Sequence, residues 1–222
     1  AHYARRGPVE SILPTLMALK GASVALAVPI LDGLVSGWPQ DTAPVIGESE
    51  KRALTGLMQA MPESVRDRLL LLSQRWGRSE IFGASLAAII ETLKKQIGDA
   101  AGADEQRAAA AKRLVGLSGE GEVLDFVVTQ VTLLSPPTLA TGLVNALAES
   151  RSTEAGRAVL AGWARYTPAV RRAAIASLLR RPEWTRTLLD AVEKGAVGRT
   201  DVALEQWAQL KQNPNRLISG RA

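Results

Sequence analysis

A repeated helical pattern in the second half of the chain constrains the fold more than any other feature. Three segments superimpose at offsets of 32 and 29 residues: Glu122-x-x-Asp125-x-Val127-Val128-x-x-Val131, Glu154-x-x-Arg157-x-Val159-Leu160-x-x-Trp163, and Glu183-x-x-Arg186-x-Leu188-Leu189-x-x-Val192. Each begins with a carboxylate that favours the positive end of a helix dipole and continues with apolar residues on one helical stripe. A second helix precedes the last two. Leu139-x-x-x-Leu143-Val144-x-x-Leu147 matches Val170-x-x-x-Ala174-Ile175-x-x-Leu178 at an offset of 31, with Pro137 and Pro168 where a helix starts and a missing N–H costs nothing. A weaker copy, Glu105 to Leu114, lies about one period earlier.

A helix pair cannot bury its own apolar stripe, but stacked pairs share a continuous core. Two helices per repeat of about 30 residues therefore predict an all-α, HEAT/armadillo-type α-solenoid of roughly five to six stacked helix pairs. The whole chain, 1–222, reads as one solenoid domain, less regular over 1–98 and regular over 103–222. In the first part the periodicity predicts helices near Val9 to Lys20, Ser23 to Ser36, Ser49 to Ala60, Glu63 to Trp76 and Glu80 to Ile97, with Pro14 and Pro29 expected to kink two of them. Gln40 to Gly47 and Gly98 to Asp104 are the expected joints. Scarce aromatics and abundant Ala, Leu, Arg and Glu agree with helix over strand.

Several chemistries are excluded by composition. The chain has no cysteine and a single histidine, His2, so it cannot build a thiolate metal site, a disulfide, a multi-histidine metal site or a catalytic triad. The uncharged run Phe126 to Ala148 is split by Ser135-Pro136-Pro137 into pieces shorter than the roughly 20 residues a membrane span needs. No membrane span is expected. Gly116-Leu-Ser-Gly119-Glu-Gly121 follows no strand, so it reads as an inter-helix turn and not as a nucleotide-binding loop. The five tryptophans are read as packing residues, not as base-stacking platforms.

The charge excess needs closer inspection. Residues 1–111 carry 12 basic and 12 acidic residues, while 112–222 carry 15 and 10, so the net +5 lies in the second half. Within Arg151 to Arg199 there are ten basic residues, nine of them arginine, against four acidic ones. On a helical wheel at about 100° per residue, with Arg171 at zero, Arg172 falls at about 100°, Arg180 at about 180° and Arg181 at about 280°. These four point all round the helix, which disfavours a phosphate-reading face. The aligned triplet Asp125, Arg157 and Arg186 is the candidate docking or inter-repeat ladder, with Asp125 expected to pair with Arg157 between neighbouring repeats. The partner expected for the arginine-rich half is an acidic protein surface or an adjoining domain. Nucleic acid is disfavoured.

The stretch Tyr166 to Val202, "YTPAVRRAAIASLLRRPEWTRTLLDAVEKGAVGRTDV", resembles the helical-repeat segment of large multidomain proteins of the putative membrane-bound dehydrogenase, PVC-type haem-binding family. Ala4 to Gly21 resembles the start of that segment, and Leu210 to Ala222 resembles its final helix pair. The resemblance implies a sugar-dehydrogenase-like β-propeller before the repeats, a c-type haem domain with a Cys-x-x-Cys-His box after them, and an exported or periplasmic protein. It implies that the redox chemistry and the haem c belong to the flanking domains. No catalytic, cofactor-binding or metal residue is expected in this stretch. The parent chain is expected to continue past Ala222. Two further readings compete: a free-standing protein-binding solenoid, and a HEAT-like DNA glycosylase, which would require acidic and aromatic residues grouped on a basic face.

Overall fold

The computed structural model describes residues 4, 7, 9–39 and 42–222. His2 and the start of the Gln40 to Gly47 joint lie outside them. Among the described residues every regular element is an α- or 3-10 helix. The fold is all-α and solenoid-like, as the repeat predicts. The chain divides into two compact units, residues 1–89 and 90–222, with the division inside a helix.

The first unit contains α1 (Ile12–Ala18), α2 (Val24–Gly37), α3 (Glu48–Ala60) and α4 (Glu63–Arg75), followed by a 3-10 turn, Ser79–Phe82. Helix α1 packs on α3 and α2 on α4, so alternate helices stack and consecutive ones do not form the main layers. Ile12, Leu16, Leu31, Leu54, Leu57, Leu69 and Leu72 are almost wholly buried, each worth about 1.5–3 kcal/mol relative to exposure. Trp38 and Trp76, at the ends of α2 and α4, meet edge to face at 6.1 Å. The Arg75 guanidinium donates to the Trp38 carbonyl at 2.8 Å, closing that corner. Pro14 is the third residue of α1, which continues directly from the 3-10 turn Val9–Ser11, and the helical segment runs through it. Pro29 does lie inside α2, which continues through it as one element.

Helix α5 (Gly83–Gly98) runs across the division. In the second unit follow α6 (Asp104–Ser118), α7 (Gly121–Thr129), α8 (Pro137–Leu147), α9 (Ala155–Ala161), α10 (Pro168–Leu178), α11 (Pro182–Glu193), α12 (Leu204–Lys211) and α13 (Arg216–Ser219). Helices α6, α8 and α10 pack successively in one layer, and α7, α9 and α11 in a second, with α13 added against α11. The predicted stripe on α10 is buried at Val170, Ala174, Ile175 and Leu178; Leu179, the C-cap, is only half-buried. On α8 the buried set is Leu139, Ala140, Leu143, Val144, Ala146 and Leu147. Pro137, Pro168 and Pro182 all stand at helix starts. Thr167 caps α10 by accepting the Val170 N–H. Glu122 and Glu183 occupy first turns as predicted, whereas Glu154 is the N-cap residue immediately before α9.

Small residues set the spacing within each layer. A Cβ at Gly142 would come within 2.5 Å of the Ala108 Cβ, so α6 and α8 approach at a Gly–Ala contact. A Cβ at Gly156 would lie 3.1–3.2 Å from atoms of Trp184, which brings α9 and α11 together in the same way. Trp184 is 1 % exposed. No helix among the described residues is long and apolar enough to cross a membrane.

Candidate docking surface

The second layer carries the aligned triplet. Asp125 lies on α7, Arg157 on α9 and Arg186 on α11, and all three side chains are exposed. Neighbouring helices in such a layer are about 8–10 Å apart, within reach of an arginine side chain. Asp125 and Arg157 do share one cleft of about 240 Å³ between α7 and α9, together with Leu124, Glu154 and Ala158. None of the ion pairs among the described residues joins any two of the triplet. Asp125 and Arg157 therefore stand across a shared cleft without the expected rung, because both remain in water, where closing an exposed pair returns at most about 1 kcal/mol against side-chain entropy.

The ties between repeats are made elsewhere, several of them to backbone carbonyls. The Ser150 hydroxyl, at the turn between α8 and α9, donates to the Gly119 carbonyl at the turn between α6 and α7, at 2.6 Å. The same hydroxyl accepts the Ser152 N–H at 3.0 Å. One repeat further on, the Trp184 indole N–H donates to the Ser152 carbonyl at 3.1 Å. At the other edge the Arg165 guanidinium donates to the Val128 carbonyl at 3.2 Å. The Gly119 and Ser152 carbonyls lie in turns, whereas the Val128 carbonyl lies in the last turn of α7 and also accepts the Val131 N–H. For two of these ties repeat-equivalent spacing was the one sequence signal: Gly119 and Ser150 are 31 residues apart, and Ser152 and Trp184 are 32 apart, whereas Val128 and Arg165 are 37 apart.

The nine arginines of the basic stretch sort into two groups. Arg165, Arg171 and Arg181 are half-buried. Arg165 holds the Val128 carbonyl; Arg171 lies 5.3 Å from the centre of the Trp163 ring and 3.5 Å from the Asp201 carboxylate; Arg181 lies 4.8 Å from the centre of the Trp184 ring. Their contribution is packing, hydrogen bonding and cation–π attraction inside the repeat. Arg151, Arg157, Arg172, Arg180, Arg186 and Arg199 are exposed, and no ion pair among the described residues engages them. They are spread over both layers and the turns. On the second layer Arg157 and Arg186 alternate with Glu122, Asp125, Glu154 and Glu183, so that surface is a mixed charge pattern and not a uniformly basic one.

Towards the end of the chain Arg221 clasps α11, donating to Glu193 at 2.9 Å and to Asp190 at 2.5 Å. The Arg221 hydrogen bond, more than its charge, holds the Glu193 carboxyl below its ordinary range. Among the described residues no group of three or more His, Cys, Asp or Glu side chains gathers at metal-binding distance. No protein-family model, no curated protein and no solved structure matches this chain.

Proposed function

We propose that the chain is a non-catalytic HEAT-type scaffold and docking module within a larger redox or electron-transfer protein. In this reading it holds a sugar-dehydrogenase-like propeller and a c-type haem domain in fixed relation, in an exported protein. The observation that carries the scaffold part is the stacking of α6, α8 and α10 in one layer and of α7, α9 and α11 in another, with equivalent positions of successive repeats presented on the outer surface. Such a surface can be read by a partner at regular intervals while the core stays unchanged. The redox part rests on the resemblance of Tyr166 to Val202 and of the two ends. Because the chain has no cysteine, a covalently attached haem would belong to a neighbouring domain. The partner would be such a domain, or another protein whose acidic groups meet the exposed Arg157 and Arg186 between their carboxylate neighbours.

The reading frame around the coding segment tests this. A Cys-x-x-Cys-His box downstream and a propeller-like β domain upstream are expected. Flanks with neither feature would remove the electron-transfer part and leave a protein-binding solenoid, the second reading, which uses the same exposed second layer.

A further inference from the structure

The exposed charges of the second layer have an order and a spacing that stacking does not use. Asp125, Arg157 and Arg186 hold the same repeat position on α7, α9 and α11, so the row reads negative, positive, positive along the layer. All three are exposed, and no ion pair among the described residues engages them. At the negative end the charge is reinforced. The cleft of about 240 Å³ between α7 and α9 is lined by the Asp125 and Glu154 carboxylates against the single Arg157 guanidinium. Leu124 and Ala158, both buried, form its apolar part. A lysine or arginine side chain suits such a cleft, its methylenes on the apolar part and its charge beside the two carboxylates. Glu183, one turn before Arg186 on α11, makes the far end of the row the weaker one.

The spacing narrows the partner further. Helices packed side by side lie about 8–10 Å apart, so consecutive charges of the row are separated by about that distance. A β-strand returns to the same face at about 6.6 Å and about 13 Å, and an α-helix at about 5 Å and about 10.5 Å. A polyproline II helix, with about three residues per turn and a rise of about 3.1 Å, returns at about 9.3 Å. Only the last falls inside the interval. We propose that the second layer binds a polyproline II segment of a protein partner whose side chains at every third residue run basic, acidic, acidic, the basic one in the cleft between Asp125 and Glu154 and the acidic ones at Arg157 and Arg186. This rests on the docking reading above and names the kind of segment that docks.

Titration of the 222-residue chain at low salt with the end-blocked heptapeptide Lys-Pro-Pro-Glu-Pro-Pro-Glu should give saturable amide NMR shifts on α7, α9 and α11 in the millimolar range. The isomer Glu-Pro-Pro-Lys-Pro-Pro-Glu satisfies at most two of the three positions in any register or direction. It should bind about threefold more weakly, since one exposed ion pair carries about that much. Lys-Gly-Gly-Glu-Gly-Gly-Glu, with the same charges on a flexible chain, should also bind more weakly, because it must be ordered on binding. Asp125→Arg with Arg157→Asp turns the row positive, negative, positive, and should reverse the preference between the two proline peptides at unchanged helicity by circular dichroism. The proposal is overturned by an absence of saturable shifts in the millimolar range, or by equal binding of the two proline peptides. Equal binding of the glycine peptide overturns its polyproline II part. These comparisons use the unaltered chain, so they decide even if the double variant folds poorly. Failure of the peptides alongside a neighbour-domain association that still responds to Arg157→Glu and Arg186→Glu would strike this inference and keep the docking reading.

Discussion

The Ser150 hydroxyl donates to the Gly119 carbonyl at 2.6 Å across 31 positions, one full repeat, and accepts the Ser152 N–H at the same time. Ser150 is 1 % exposed, so water cannot readily replace either bond. Ser150→Ala leaves a carbonyl and an N–H unpaired and should cost about 1–3 kcal/mol in denaturant unfolding. A cost near zero would show that this turn-to-turn tie is incidental to the stacking.

The approach of α6 to α8 at Ala108 and Gly142 makes a second expectation with an unusual sign. Glycine to alanine inside a helix ordinarily stabilises by about 1 kcal/mol. Here the new methyl would lie 2.5 Å from the Ala108 Cβ, so Gly142→Ala should instead destabilise by about 1–2 kcal/mol through overpacking. Adding Ala108→Gly should recover most of that loss, and a thermodynamic cycle should show coupling well above the about 0.5 kcal/mol typical of independent sites. A stabilising single variant would mean that the layers can separate freely at this point.

The repeat, the proline-started helices and the buried stripes of α8 and α10 were legible in sequence because a 3.6-residue apolar period survives in any helix that must bury one face. The ladder was not. Asp125, Arg157 and Arg186 align as predicted, yet the actual ties run from Ser150, Trp184 and Arg165 to backbone carbonyls. A carbonyl acceptor has no residue identity, so its partner cannot be read from residue type. The wheel placed Arg171, Arg172, Arg180 and Arg181 around one helix, but α10 ends at Leu178, so Arg180 falls in the following turn and Arg181 is the N-cap residue of α11. Arg171 packs on Trp163 of the 3-10 turn Trp163–Arg165, whereas Arg181 packs on Trp184 three residues on, in the first turn of the helix it caps.

The division of the arginines gives a third expectation. Arg165→Met, Arg171→Met and Arg181→Met each remove a hydrogen bond or a cation–π contact from a half-buried side chain and should each cost about 1 kcal/mol. Arg172→Gln and Arg180→Gln, both on exposed side chains, should stay within about 0.5 kcal/mol of the native protein. Equal effects in the two groups, measured by thermal unfolding, would contradict the sorting.

A fourth expectation separates docking from folding on the second layer. Arg157 and Arg186 are exposed and take part in no ion pair among the described residues, so Arg157→Glu with Arg186→Glu should change unfolding free energy by less than about 1 kcal/mol. If an acidic neighbour docks there, the same double change should weaken association by tenfold or more, with a salt dependence lost alongside it. Unchanged association would remove these two arginines from the docking surface.

Tyr166 supplies the last expectation, and its direction follows from burial. The side chain is almost fully enclosed, 4 % exposed, meets Trp163 edge to face at 6.1 Å, and has no hydrogen-bond partner for its hydroxyl. Burial pushes its ionisation up to about 12, against a smaller opposing pull from the Arg165 charge. The folded state therefore retains the phenol proton where the unfolded chain, titrating near 10, has begun to release it. Stability from this group is fully present below about pH 10 and is lost as pH rises from about 10 to about 12, by about 3 kcal/mol in all. Tyr166→Phe removes the titrating proton, so the difference in unfolding free energy between native and variant should be flat below pH 10 and should then swing in favour of the variant. At neutral pH the variant should be as stable as the native protein or slightly more so, since it no longer buries an unpaired hydroxyl. A difference curve that stays flat through pH 12 would mean that water reaches the Tyr166 hydroxyl in the folded state.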